Sequence, residues 1–218
     1  MKKVWALVFS IIISISCIIN TDAKEYTPRY VNSIKNVGMG VFLPSDKITI
    51  YSKPDENSEV LLEFSLKELA KNDSDDIIPV NTFIAFDKDF KNVFFTVADE
   101  TPDWCEVFFD HKNKRSGWIK KTEGSNFFTW KEFFDIYGRN KGIRFFADVP
   151  TEYKAIYTSP SDDAQQITGF YHPKEMELKL IRGNWMLIKL INFDRTAQIG
   201  WIKWRKPDGT LLVFPNLY

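Results

Sequence analysis

Thiols and imidazoles are scarce in this chain. Cys17, Cys105, His111 and His172 are all of its thiols and imidazoles. A thiol hydrolase would need Cys105 as a thiolate, with His111 or His172 as its base. Cys105 stands in the stretch Trp104-Cys105-Glu106-Val107-Phe108-Phe109-Asp110. Two-residue alternation there puts it on an apolar face with Val107 and Phe109, opposite Trp104, Glu106 and Asp110. A reactive thiolate needs a partly exposed, electropositive setting, so a buried, inert cysteine is expected. Two distant histidines are a poor start for zinc. Asp73, Asp75 and Asp76 could face a calcium ion, but their tract lacks the glycine and terminal glutamate of an EF-hand loop, and a solvated acidic loop is expected. No Gly-rich phosphate loop with a following lysine is present. No catalytic residue, no metal ligand and no cofactor is expected. The chain is expected not to be an enzyme, with a cysteine hydrolase kept as the last alternative.

What remains is aromatic. The chain holds 19 Phe, 7 Trp and 8 Tyr. Two sets fall in the same order: Tyr51, Trp104 and Trp118, then Tyr157, Trp185 and Trp201. Flat aromatic faces beside Lys and Glu suit short peptides or sugar faces, because rigid rings lose little entropy on binding. These six are the candidate ligand-binding residues. The alternative is that the rings pack against neighbouring loops or the central helix.

The elements that would position them are written twice. Before Gly117-Trp118-Ile119-Lys120 stand Ile48 to Pro54, with Tyr51 ending a strand, and then the Trp104-led strand. Before Gly200-Trp201-Ile202-Lys203 stand Ala155 to Pro160, with Tyr157 ending a strand, and then the Trp185-led strand. Each copy reads as a strand ending in Tyr, a Ser/Pro turn, a Trp-led strand, a loop and a Gly-Trp-Ile-Lys strand. Parity puts Met186, Ile188 and Leu190 on one face and Trp185 and Lys189 on the other. It puts Ile119 and Ile202 inward, and Trp118 and Trp201 on the side of Lys120 and Lys203. Short strands with closely spaced turns suggest a small barrel or sandwich.

The ordered set Tyr-x-x-Pro, Trp-x-x-Val or Trp-x-x-Ile, and Gly-Trp-Ile resembles the bacterial SH3 domain. The chain looks like a tandem pair of them over roughly residues 44–121 and 150–206. The resemblance implies two SH3-like β-barrels and a region able to bind peptidoglycan peptides or protein segments. The first copy departs from the pattern by an insertion near residues 66–80, where the family has a short connection. Such domains often accompany cell-wall endopeptidases, but no catalytic domain fits into the residues left over.

Between the copies, Thr129 and Glu132 make a capping box, and Gly138 is a natural helix-ending residue. Trp130, Phe133, Phe134 and Tyr137 recur at helical spacing on one face. This short, aromatic-rich helix is expected in the seam between the barrels, with Phe127-Phe128 before it and Phe145-Phe146 after it adding further aromatics. Beyond the second copy, Lys206-Pro207-Asp208-Gly209 is a turn signal, and Leu211 to Phe214 could be a closing strand.

The opening residues set the compartment. Lys2 and Lys3 precede an uncharged apolar run from Val4 to Ile19, and Thr21-Asp22-Ala23 offers small residues at a cleavage site before Lys24. That is the anatomy of a secretory signal peptide, and the run is shorter than the roughly 20 residues a membrane span needs. Ser14-Ile15-Ser16-Cys17 resembles a loose lipobox, leaving a lipid anchor at Cys17 as an alternative. With 29 basic and 29 acidic residues, the chain has no net field to draw in nucleic acid or an anionic membrane. Only Cys105 survives ordinary cleavage, so no disulfide framework is expected.

The resulting expectation is a mainly β protein: a signal peptide at 1–23, an N-terminal extension at 24–43, a first SH3-like barrel at 44–124, a connecting helix segment at 125–149 and a second barrel at 150–218. It is expected to be exported, periplasmic or extracellular. Its partner would be cell-wall peptide or glycan, or another envelope protein, with no nucleic acid and no transmembrane helix in the mature chain.

Overall fold

The computed structural model of the protein describes residues 37–71, 82–87, 92–167 and 173–217. The signal peptide, Cys17, residues 24–36, the Asp73, Asp75 and Asp76 tract and His172 lie outside the described residues.

The described chain is mainly β, in three antiparallel sheets. The first contains β1 (Gly40–Leu43), β2 (Lys47–Tyr51), β3 (Val60–Ser65), β4 (Ala85–Asp87), β5 (Asn92–Glu100), β6 (Trp104–Asp110), β7 (Arg115–Lys120) and β8 (Asn126–Thr129). Its order is β3-β2-β7-β6-β5-β1-β8, with β4 also paired to β5. The short helix α1 (Leu66–Lys71) falls at the start of the expected insertion. The second sheet contains β10 (Ile156–Tyr157), β11 (Gln166–Ile167), β12 (Glu175–Arg182), β13 (Trp185–Ile191) and β14 (Ala197–Lys203), in the order β11-β10-β14-β13-β12. A third, two-stranded sheet pairs β9 (Ile143–Phe145) with β15 (Val213–Pro215).

The path β3-β2-β7-β6-β5 of the first sheet recurs strand for strand in the second. The register recurs with it. Tyr51 lies opposite Trp118, and Tyr157 opposite Trp201. Val107 faces Gly117, and Ile188 faces Gly200. Both sheets also slip register at the same point, between Val97 and Asp99 and between Leu178 and Leu180. Gly117 and Gly200 explain why the repeated motif needs glycine. A Cβ on Gly117 would stand 2.5 Å from Cγ2 of Ile50, and one on Gly200 would stand 2.4 Å from Cγ2 of Ile156. The preceding strand crosses too closely for a side chain.

Alternation sorts the faces as the sequence implies. Cys105, Val107, Phe109 and Ile119 are buried, as are Met186, Ile188, Leu190 and Ile202. β5 departs from alternation, because Val93-Phe94-Phe95-Thr96-Val97 is buried throughout. A continuous apolar run marks a strand covered on both faces. Val93, Phe95 and Val97 enter one core with Ile48, Ile50, Cys105 and Val107. Phe94 enters a second core on the other side, and β1 divides likewise, with Phe42 in the first core and Val41 and Leu43 in the second.

That second core holds the aromatic helical segment. It begins as α2 (Trp130–Phe133), with the Thr129–Glu132 capping box in place. It widens into a π-turn over Phe134–Gly138 and closes as α3 (Arg139–Lys141). Gly138 does not end the helix: its φ is −68°, and Gly142, at φ +75°, stands where α3 stops. Gly138 is instead a packing glycine, since a Cβ there would meet side chains of Ile143 and Leu178 at 3.2 Å. Phe133 meets Phe94 of β5 edge-on at 5.6 Å and Phe214 at a tilt at 5.4 Å, while Phe134 meets Trp204 at 5.5 Å. The second sheet contributes Ile156, Leu178, Met186, Ile188, Leu190 and Ile202 to the same core. The segment therefore lies between the two repeated sheets.

Strands also form in the expected N-terminal extension and connecting segment. β1 comes from the stretch read as an extension and β8 from the connector. Phe127 of β8 packs on the first core, while Phe128, Phe145 and Phe146 belong to the second. The Lys206–Gly209 turn forms, with Gly209 N–H donating to the Lys206 carbonyl at 3.0 Å. The strand after it does not join the second sheet. β15 pairs with β9 because Leu212 N–H donates back to the Trp204 carbonyl and Phe146 N–H donates to the Leu212 carbonyl, turning the chain toward the helical segment.

Candidate functional site

Each repeated sheet gathers its aromatic set at one place on its outer face. In the first, β2 ends at Tyr51, which meets Trp104 at the start of β6 edge to face, 5.7 Å between ring centroids at 84°. In the second, Tyr157 and Trp185 do the same at 5.2 Å and 87°. Cross-strand pairing sets Trp118 beside Tyr51 and Trp201 beside Tyr157. All six residues are half-buried. Edge-to-face pairing uses the positive rim of one ring against the negative face of the next, which favours this mutual orientation within each Tyr–Trp pair.

The turns after the tyrosines are built alike. Ser52 N–H donates to the Glu59 carbonyl at 2.9 Å, and Thr158 N–H to the Gln165 carbonyl at 3.0 Å. Inside the turns, Asn57 N–H donates to Asp55 Oδ1 at 2.9 Å and Asp163 N–H to Ser161 Oγ at 3.3 Å. These turns carry an acid that the sequence reading missed. Glu56 pairs with Lys120, and Asp162 pairs with Lys203. Hydrogen bonding to Glu56 raises the Lys120 ammonium above the usual lysine range. Lys203 Nζ also sits 5.2 Å over the Trp185 ring. The signal was present as an acid two residues past Pro54 and past Pro160, at positions where neither hydropathy nor alternation gives a reason to look.

Cys105 is wholly buried and its thiol is pushed up to about 12 by burial. His111 is brought down to about 4 by burial, against a smaller opposite pull from Asp110. Its Nε2 lies 3.5 Å from Thr96 Oγ1, and its ring leans on Phe108. Burial favours the neutral form of both groups.

A separate cleft of about 600 Å³ lies beside α3 and the start of β12. Arg139, Lys141, Arg144 and Lys174 line it, together with Glu175 and Glu177. Lys174 lies 3.4 Å from Glu175, and Glu177 takes Lys179, outside the cleft lining, at 2.6 Å.

Among the described residues, no group of three or more His, Cys, Asp or Glu is placed to hold a metal ion, and no helix is long and apolar enough to cross a membrane. No protein-family model matches the chain, and comparison with curated proteins finds no match.

Proposed function

We propose that this chain is an exported, non-catalytic binding protein of the bacterial cell envelope. Its two repeats are read as SH3-like barrels joined by the aromatic-rich helix, recognising cell-wall peptide or glycan. The rings that carry recognition are Tyr51, Trp104 and Trp118 in the first repeat and Tyr157, Trp185 and Trp201 in the second. One observation supports this reading above the others. The same Tyr–Trp edge-to-face pair, with the same Lys–acid clamp beside it, is built twice on half-open outer faces. Rings needed only for packing would not require matched clamps at the rim. Rigid aromatic platforms bind sugar faces and peptide planes with little entropy loss.

Sedimentation of the purified mature chain with purified cell walls tests this. The unmodified protein is expected in the pellet. Trp118→Ala with Trp201→Ala is expected to shift it to the supernatant while leaving the fold intact by circular dichroism. A chain that stays in solution with intact walls would overturn the wall reading.

A second reading, an interaction or assembly factor for another envelope protein, draws on one specific feature. The second repeat exposes Leu180, Phe193 and Ile199, with Phe193 77% and Ile199 58% accessible. Exposed large apolar side chains of this kind suit a protein partner.

A further inference from the structure

The two aromatic platforms continue into rows that differ in chemistry. In the first repeat, residues directly opposite one another across β2, β7, β6 and β5 are Tyr51, Trp118, Glu106 and Asp99. In the second, the corresponding row across β10, β14, β13 and β12 is Tyr157, Trp201, Leu187 and Leu180. The aromatic halves are the same. The other halves are two carboxylates in one case and two leucines in the other. Directly opposed side chains in a sheet are close neighbours, about 4.5–5.5 Å apart at Cβ, so each row is one continuous surface.

The carboxylates of the first row are oriented but lack a countercharge. Ser116 Oγ donates to Glu106 Oε1 at 2.6 Å, and Asp99 Oδ1 accepts from the Glu100 N–H at 2.8 Å. The nearby lysines are engaged elsewhere, Lys120 with Glu56 and Lys121 with Glu100. Among the described residues, no cation pairs with Glu106 or Asp99. An indole face next to two unneutralised carboxylates attracts an organic cation twice over, through the ring quadrupole and through charge. In the second row, leucines would strip water from an ammonium group and return no partner.

We propose that the first repeat binds an amine-bearing peptide, with the ammonium group over Trp118 and against Glu106 and Asp99, and that the second repeat does not. The proposal rests on the binding reading of the aromatic platforms and names the ligand chemistry of the first. It makes the two repeats receptors of different specificity rather than two copies of one receptor.

The test titrates the mature chain with a short peptide carrying one free lysine amine, and with the same peptide Nε-acetylated. The Trp118 indole N–H resonance is the readout. The free amine is expected to bind at least about five-fold more tightly, a difference within the usual range of a charge-assisted contact. Glu106→Gln keeps the acceptor for Ser116 and should abolish that preference, as should Asp99→Asn; Leu187→Gln should leave it unchanged. Equal binding of both peptides, or a preference that survives Glu106→Gln, overturns the proposal. If walls still pellet the chain in that case, the platform reading stands and only the amine specificity fails. Amine-dependent binding by a chain that walls do not pellet would support this site and sink the wall reading alone.

Discussion

The first and second repeats share a strand path, a register, a bulge and a glycine crossing, yet they complete their cores differently. The first closes on itself: Ile48, Ile50, Phe64, Phe95, Val97, Cys105, Val107, Phe109 and Ile119 form a core within its own sheet. The inner face of the second is continuous with the helical segment, with β15 and with the back of β1 and β5. The residue after each Gly-Trp-Ile-Lys shows the divergence locally. Lys121 bonds to Glu100 and to the Thr101 carbonyl at the rim, whereas Trp204 is buried against Trp130 and Phe134. The strand path and its register thus recur together with the repeated strands. The core is completed by whatever apolar surface lies alongside, which a repeat does not carry with it.

The largest effect should come from the shared core. Phe133 and Phe134 are fully buried, and truncating each to Ala removes about 3–5 kcal/mol. That is comparable to the whole stability of an ordinary domain, about 5–15 kcal/mol. Phe133→Ala with Phe134→Ala is expected to strip hydrogen-exchange protection from β12, β13 and β14 before β6 and β7. Equal loss in both sheets would break the distinction between a self-contained first repeat and a dependent second one. Two calorimetric transitions in the unmodified chain, one untouched by the double change, would remove the shared core altogether.

The next effect tests the sameness of the repeats. Gly117→Ala and Gly200→Ala each force a methyl group against a buried isoleucine, and overpacking of this kind costs about 1–3 kcal/mol. Denaturant midpoints should fall by similar amounts. Gly117 should be the slightly costlier site, because the Tyr51 carbonyl lies 3.0 Å from its would-be Cβ, against 3.3 Å for Tyr157 at Gly200. A harmless change at either glycine would mean the two crossings are not equivalent.

A pH-dependent difference lies at His111 of the first repeat. The His111 imidazole is lowered from 6.5 to about 4. Between those values the unfolded chain takes up a proton that the folded chain refuses, so stability is full above about pH 6.5 and falls as pH drops toward 4. His111→Gln should flatten that part of the stability–pH curve. At the position where His111 follows the first Trp-led strand, the second repeat has Asn192, a side chain that does not titrate. An unchanged slope in the variant would assign the acid sensitivity to other groups.

The smallest effect is expected at Cys105. Its thiol should react with a maleimide at pH 8 only as fast as the sheet opens, and Cys105→Ala should cost about 1 kcal/mol. Rapid stoichiometric labelling of the folded chain would show a thiol far more accessible than its burial implies.

Much of this fold was legible because it is local. Two-residue alternation fixed which way Cys105, Val107, Met186 and Ile188 point, since successive side chains of a strand must face opposite sides. The ordered Tyr, Trp and Gly-Trp elements announced a repeat, and Thr129 with Glu132 announced a helix start. Gly138 misled because a glycine at a helix end and a glycine at a tight packing site look the same in one dimension. What the chain alone could not decide was decided by contacts between distant segments. The pairing of β15 with β9, the placement of β1 between β5 and β8, and the clamps from Glu56 to Lys120 and Asp162 to Lys203 all join residues far apart in sequence. Their geometry follows from which apolar faces find each other when the chain closes, and no periodicity within any one segment encodes that choice.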